Sequence, residues 1–285
     1  MRVREREFRW GTRTYVMGII NMSPDSFSGD GLTNAESALA QAQRMSSEGA
    51  DILDIGGQST RPGLPSITVE EELERVIPAV RQISEKVGLP ISIDSTKYEV
   101  VRQALEAGAS IINDQWGLKQ EARLAELAAE KGAPLILMSN QRDRGSYDAS
   151  LQRDTTACDG DIMAEVIGSL GLSLKIAKQA GVPPENLIID PGLGFGKTWQ
   201  FDLEIIRRLD ELKILKRPIL LGPSRKSFLK MVLDLPVSER IEGTAAAVAI
   251  GISKGADIIR VHDVKQMVRV CRVSDAIMRK GAHLT

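Results

Sequence analysis

SKGADIIRV, residues 253–261, has two near copies earlier in the chain: SEGADILDI at 47–55 and EAGASIIND at 106–114. EKGAPLILM (130–138) and QAGVPPENLIID (179–190) are looser versions of the same phrase. Each reads as a helix end, a glycine suited to the position just past it, a short turn and a buried strand. The apolar runs are continuous rather than alternating, the pattern of strands covered on both faces in a parallel sheet. Three further runs complete the set: YVMGII (15–20), PISID (90–94) and PILL (218–221).

The intervening segments carry helical periodicity. In VEEELERVIPAVRQISEKV (69–87), Val69, Leu73, Val76, Val80, Ile83 and Val87 fall three or four apart. Pro78 inside that helix is expected to kink it or weaken one turn. Val264, Met267, Val268 and Cys271 form one stripe near the C-terminus and read as core, not as ligands. Eight strand–helix units in 285 residues, with no linker of biased composition, predict an α/β protein. The expected architecture is a single (β/α)8 TIM barrel over residues 1–285, with extended loops after its first, second and fifth strands. An open doubly wound sheet is the runner-up. The longest polar insertion, residues 139–160, is expected to be a loop.

Composition excludes several classes. Net charge is −1 and no run of Lys and Arg offers a face to nucleic acid or to an anionic membrane. Cys158 and Cys271 are too few for a disulfide framework and have no metal-ligand spacing, so a reducing cytoplasm is expected. The opening MRVREREFRW is charged throughout and does not read as a signal peptide. The longest apolar run, AAAVAIGI (245–252), is too short to span a bilayer.

DPGLGFGKT (190–198) resembles a nucleotide phosphate loop at first sight. That loop needs Gly, four residues, then Gly-Lys-Ser/Thr, so that backbone N–H groups can wrap phosphates. Counting back from Gly196 reaches Pro191, which has no N–H, so the nucleotide reading fails. What remains is an aspartate at a strand end followed by a glycine turn.

In such barrels the site lies at the C-terminal ends of the strands. The residues there are Asn21, Asp54, Asp94, Asn113, Ser139 and Asp190, then GPSRKS (222–227) and RVHD (260–263). Any one of them alone reads as a helix cap; together they converge on one rim. GPSRKSF (222–228) reads as a turn feeding a helix start that carries Arg225 and Lys226, with Ser224 as its possible cap. Helix starts attract anions and normally prefer acidic side chains, so two cations there need another reason. Arg260 and His262 lie two apart on the last strand and lean to one face, whereas His283 is in the tail. The acidic set Asp94 and Asp190, with Asn113, therefore shares a rim with Lys226, Arg260 and His262. Such a rim suits a flat heterocycle with amidine-like donors at one end and phosphate at the other.

MGIINMSPDSFSGDG (17–31), DIGGQSTRPG (54–63), IDPGLGFGKT (189–198), LLGPSRKSF (220–228) and ERIEGTAAAVAIGISKGADIIRVHDV (239–264) resemble the signature segments of the dihydropteroate synthase family. The resemblance covers nearly the whole chain. It implies a homodimeric (β/α)8 enzyme of the folate pathway that is a sulfonamide target. The family joins hydroxymethyl-dihydropterin pyrophosphate to para-aminobenzoate and releases pyrophosphate, with Mg2+. By position, the resemblance implies that Asp94, Asn113, Asp190 and Lys226 hold the pterin, with Met138 and Phe195 lining its pocket. Arg260 and His262 would hold pyrophosphate, aided by Thr60 and Arg61, with Asn21 on Mg2+ or the phosphates. Phe27, Pro62 and Ser224 would frame para-aminobenzoate, and Asp94, Lys226 and Arg260 would be the catalytic set. The glycine turn after Asp190 would then pass close to the ring, and Lys197 would not be a phosphate ligand. The chain departs from the usual pattern at Ser139, where His is common, at Asn21–Pro24, where Val-Thr-Pro is commoner, and at Pro223, where Thr is frequent. A pterin-dependent methyltransferase and a catalytically silent ligand-binding paralogue are the rival readings.

Overall fold

The computed structural model describes residues 1–23, 31–59, 66–142 and 160–279. The eight expected strands all form: β3 (Tyr15–Asn21), β4 (Ile52–Gly56), β5 (Ile91–Asp94), β6 (Ile111–Asp114), β7 (Leu135–Met138), β8 (Leu187–Asp190), β9 (Leu220–Leu221) and β10 (Ile258–Val261). They follow a hairpin of β1 (Arg2–Val3) and β2 (Arg6–Glu7), which the charged N-terminus had hidden. The helices alternate with them: α1 (Ala35–Glu48), α2 (Val69–Lys86), α3 (Tyr98–Glu106), α4 (Arg123–Lys131), α5 (Ile162–Gln179) and α6 (Trp199–Arg207). Two helices, α7 (Ser227–Leu233) and α8 (Ile241–Ser253), fill the β9–β10 crossover, and α9 (Val264–Met278) ends the described chain.

The sheet runs β8-β7-β6-β5-β4-β3-β10-β9 with every pairing parallel. One bridge, Ile189 to Ile219, closes it into a barrel. The doubly wound alternative is thereby set aside. The repeated phrase has the local structure its glycines require. Gly49 takes φ +102° at the end of α1 and donates to the Met45 and Ser46 carbonyls, a conformation costly for any residue with a Cβ. α2 continues through Pro78, and its start is fixed by a reciprocal cap between Thr68 and Glu71. Val264, Met267 and Cys271 are core, as their stripe predicts.

The apolar residues divide into two layers. The larger lies between strands and helices. The smaller fills the barrel interior with Met17, Ile52, Ile111, Ile136, Ile188 and Ile258, and is sealed at the N-terminal end by Val3 and Phe8 of the hairpin. Phe8 packs on Trp10 and Tyr15 with ring centroids 5.7 and 4.9 Å away. The barrel is thus a filled core closed at its N-terminal end, and in such barrels the opposite rim carries the site.

Candidate active site

Side chains two apart on a strand face the same way. Asp54, Asn113, Met138, Asp190 and Arg260 each stand two residues beyond an inner-core residue: Ile52, Ile111, Ile136, Ile188 and Ile258 respectively. The apolar interior therefore continues upward into a ring of polar side chains. A cavity at this rim is lined by Asn113, Met138, Asp190, Phe195, Lys226 and Arg260, six of the residues singled out from sequence. Gln115 also lines it, and was not foreseen.

Two carboxylates meet the guanidinium of the lining residue Arg260. Arg260 reaches Asp54 at 2.6 Å and Asp94 at 2.8 Å. The Asn113 side-chain amide donates to both Asp54 oxygens at 3.2 and 3.3 Å. Asp94 receives the Gln115 amide at 2.6 and 2.7 Å. Burial, then the neighbouring Asp54 charge, pushes the Asp94 carboxyl up to about 7, against the pull of Arg260. Asp54 had been noted only as a strand-end polar group; its position two past Ile52 was the signal that it faces inward.

Asp190 is held differently. Its Oδ1 accepts the Gly192 N–H at 2.7 Å. Burial raises its carboxyl, opposed by that N–H and by the charges of Lys226, Arg260 and Lys197. The glycine turn beyond lies against the chain that follows β7. A Cβ at Gly192 would collide with the Ser139 carbonyl, and one at Gly196 with the backbone of Gln141 and Arg142. Ser139, Asn140 and Gln141 are consequently buried, although they begin the stretch expected to be a loop. Lys197 is enclosed as well, and its ammonium donates to the carbonyls of Ser139 (2.7 Å), Gly192 (2.9 Å) and Phe195 (3.3 Å). All three of its protons are used on main chain, which agrees with its exclusion as a phosphate ligand.

Lys226 sits with its ammonium 4.4 Å from the Phe195 ring centre. Burial, then Arg260, draws it down to about 8, while Asp190 and Asp202 oppose this. It is the residue before α7, in extended backbone, and not one inside the helix as the sequence reading had it. The second cation of that turn, Arg225, is accounted for by Asp263, 2.7 Å away, and takes φ +58°. Ser224 does not cap the helix. Its hydroxyl lies 2.9 Å from His262 Nδ1 and accepts the His262 backbone N–H at 3.3 Å. His262 directly follows β10, two residues beyond Arg260, and Asn21 ends β3 half-buried. Phe27, Thr60, Arg61 and Pro62 fall outside the described residues.

Residues 17–262 match the family model described as pterin binding enzyme. The dihydropteroate synthase of Clostridium beijerinckii is 45% identical over 282 residues, covering 98% of this chain and 100% of that protein. A dihydropteroate synthase from Clostridium difficile, solved in the presence of pteroic acid, superposes with a TM-score of 0.86 at 42% identity, covering 96% of this chain and 100% of the other. The Xanthomonas albilineans dihydropteroate synthase, solved with 4-aminobenzoic acid, gives 0.83 at 39% identity and 93% coverage of both chains.

Proposed function

The chain belongs to the pterin binding enzyme family, among its dihydropteroate synthases, and from that premise we propose how its residues carry the reaction. The substrates are hydroxymethyl-dihydropterin pyrophosphate and para-aminobenzoate, and the products are dihydropteroate and pyrophosphate. The observation that supports the assignment is the rim cavity that brings buried Asp190 together with Lys226 and with Arg260, itself paired to buried Asp94.

Asp94 and Asp190 accept N–H bonds from the pterin, with Asn113 beside them. Met138 and Phe195 enclose the ring, and Lys226 donates to its carbonyl. A carboxylate inside a dry pocket gives charge-assisted bonds worth about 1.5–3 kcal/mol each. Arg260 and His262 take the pyrophosphate, helped by Thr60 and Arg61. Asp54 and Asp94 hold the Nε and Nη2 side of the Arg260 guanidinium, and its Nη1 is the donor offered to phosphate oxygens. Phe27, Pro62 and Ser224 form the para-aminobenzoate pocket. The carbon–oxygen bond to pyrophosphate breaks with charge building on the leaving group. The electron-rich dihydropterin supports the cation left behind, and the arylamine then attacks it. The main task of the protein is to stabilise the departing charge with fixed cations.

Asn21 is the residue that would hold Mg2+. Among the described residues no group of three or more His, Cys, Asp or Glu gathers to cage an ion. A single amide oxygen fits an ion shared with phosphate oxygens and water, as Mg2+ prefers. When bound, the ion neutralises charge on the pyrophosphate. A single-domain homodimer in the cytoplasm completes the reading. Exposed Met231, Val232, Ile250, Val273 and Ile277 on α7, α8 and α9 support self-association. Among the described residues no helix is long and apolar enough to cross a membrane.

Pyrophosphate release that requires both substrates and Mg2+ is the expected outcome of a coupled assay. Methyl transfer from a methylated folate, with no pyrophosphate released, would transfer the chain to the methyltransferases.

A further inference from the structure

We propose that Gln115 is a built-in stand-in for the substrate: its side-chain amide occupies Asp94 in the free protein and is displaced when the pterin arrives. The inference rests on the reading of Asp94 as a pterin acceptor.

Asp190, which lines the cavity, and Asp94, paired to its Arg260, are prepared in different ways. Asp190 is oriented by a main-chain donor, Gly192 N–H at 2.7 Å, within a turn that Lys197 fastens to three carbonyls. That arrangement is fixed whether or not a ligand is present. Asp94 is nearly as buried, yet both its oxygens face one primary amide, Gln115 Nε2 at 2.6 and 2.7 Å. An N–H2 group against two carboxylate oxygens reproduces what the amidine-like edge of a pterin would offer. The same oxygens cannot serve both in full, since Arg260 already takes Asp94 Oδ2 at 2.8 Å.

The backbone under Gln115 allows the exchange. Asp114 accepts the Trp116 and Leu118 N–H groups, which pins the turn. The Asn140 amide donates to the Gln115 carbonyl at 3.1 Å. Only the side chain is left to move, by rotation about its own bonds and away from the cavity it lines. Without this donor, a buried carboxylate in the empty pocket would lose a partner, which is costly for a charged group. Gln115 thus keeps Asp94 satisfied in the free state, at the expense of binding strength.

The test is calorimetric titration of hydroxymethyl-dihydropterin, without pyrophosphate, at several values from about pH 7 to 9, because the Gln115 bond itself lowers the Asp94 carboxyl and its loss shifts ionisation as well as competition. Gln115→Ala and Gln115→Met both remove the competing donor, and Met keeps the length. Each is expected to bind the pterin about tenfold more tightly than the unaltered chain. Unchanged or weaker affinity in both variants overturns the proposal, because Gln115 would then be a bystander or a direct ligand. Asp94→Asn, alone and combined with Gln115→Ala, separates the two levels. It is expected to weaken binding and to abolish the gain from Gln115→Ala. If Asp94→Asn alone leaves affinity untouched, the pocket reading fails and the proposal with it. If Asp94→Asn weakens binding while neither Gln115 variant tightens it, the stand-in role alone is wrong.

Discussion

The Arg260 guanidinium lies 2.6 Å from Asp54, a carboxylate with no exposed surface. Asp54 also takes both bonds from the Asn113 amide, so one enclosed acid orients two residues of the cavity. Asp54→Ala would leave a buried guanidinium short of a partner and an amide with no acceptor. Loss of one member of a buried pair costs about 3–5 kcal/mol. Denaturant unfolding is expected to show a loss in that range, together with weaker binding of pyrophosphate. A loss below about 1 kcal/mol, typical of a surface pair, would mean that Asp94 alone satisfies Arg260.

Asp190→Asn is a sharper probe than truncation. The Asn oxygen can keep the bond from Gly192 N–H, so the turn survives. The other atom becomes a donor facing a ligand donor. Pterin affinity is expected to fall by about 2–3 kcal/mol, near a hundredfold, with little change in Tm. Unaltered affinity by calorimetry would take Asp190 out of the pocket.

Titration follows from the same burial. Asp94 offers two charge-assisted acceptors only when ionised, and its carboxyl is raised to about 7. Lys226 gives a charge-assisted bond only when protonated, and it is lowered to about 8. Binding strength is therefore expected to rise with pH as Asp94 loses its proton and to fall again as Lys226 loses its own. The free-enzyme profile of kcat/KM should be a narrow bell between the two. A flat profile from pH about 6 to 9 would show that neither group changes charge in that interval.

Lys197→Met tests the fastening of the turn. Met fills similar space but leaves the Ser139 carbonyl without its donor and those of Gly192 and Phe195 with one backbone N–H each. Each unsatisfied buried acceptor costs about 1–3 kcal/mol. Reduced stability is expected, together with a weaker pterin complex, because Asp190 and Phe195 lie on the loosened turn. Full stability would show that water replaces the ammonium at those carbonyls.

The barrel was legible because its helix-ending glycines and continuous apolar runs repeat, and each repeat carries its own physical reason. The N-terminal hairpin was not legible. Only Val3 and Phe8 of its charged sequence are fully buried, too few for a periodic signal. Strand ends located Asp94, Asn113, Asp190 and Arg260 as rim residues, since period-two alternation fixes direction. Partnerships were out of reach. Nothing local in the chain joins Asp54 to Arg260, 206 residues away, or Ser224 to His262, 38 away. Lys226 was placed inside a helix because the run SRKSF gives no sign that the turn extends one residue further. Gln115 was passed over because a glutamine after Asn-Asp has no motif of its own; only the folded neighbour Asp94 gives it a meaning.

The thinnest joint of the barrel is the one between β8 and β9, which meet through the single bridge from Ile189 to Ile219. β9 itself contributes only Leu220 and Leu221. Asp190 ends one side of that joint and Lys226 follows the other. A pterin held by both would therefore act as a stitch across the seam. Fluctuations that part the two strands would be suppressed by the ligand more than fluctuations elsewhere, so amide hydrogen exchange at Ile189 and Leu221 should slow on binding while β4 and β5 stay unchanged.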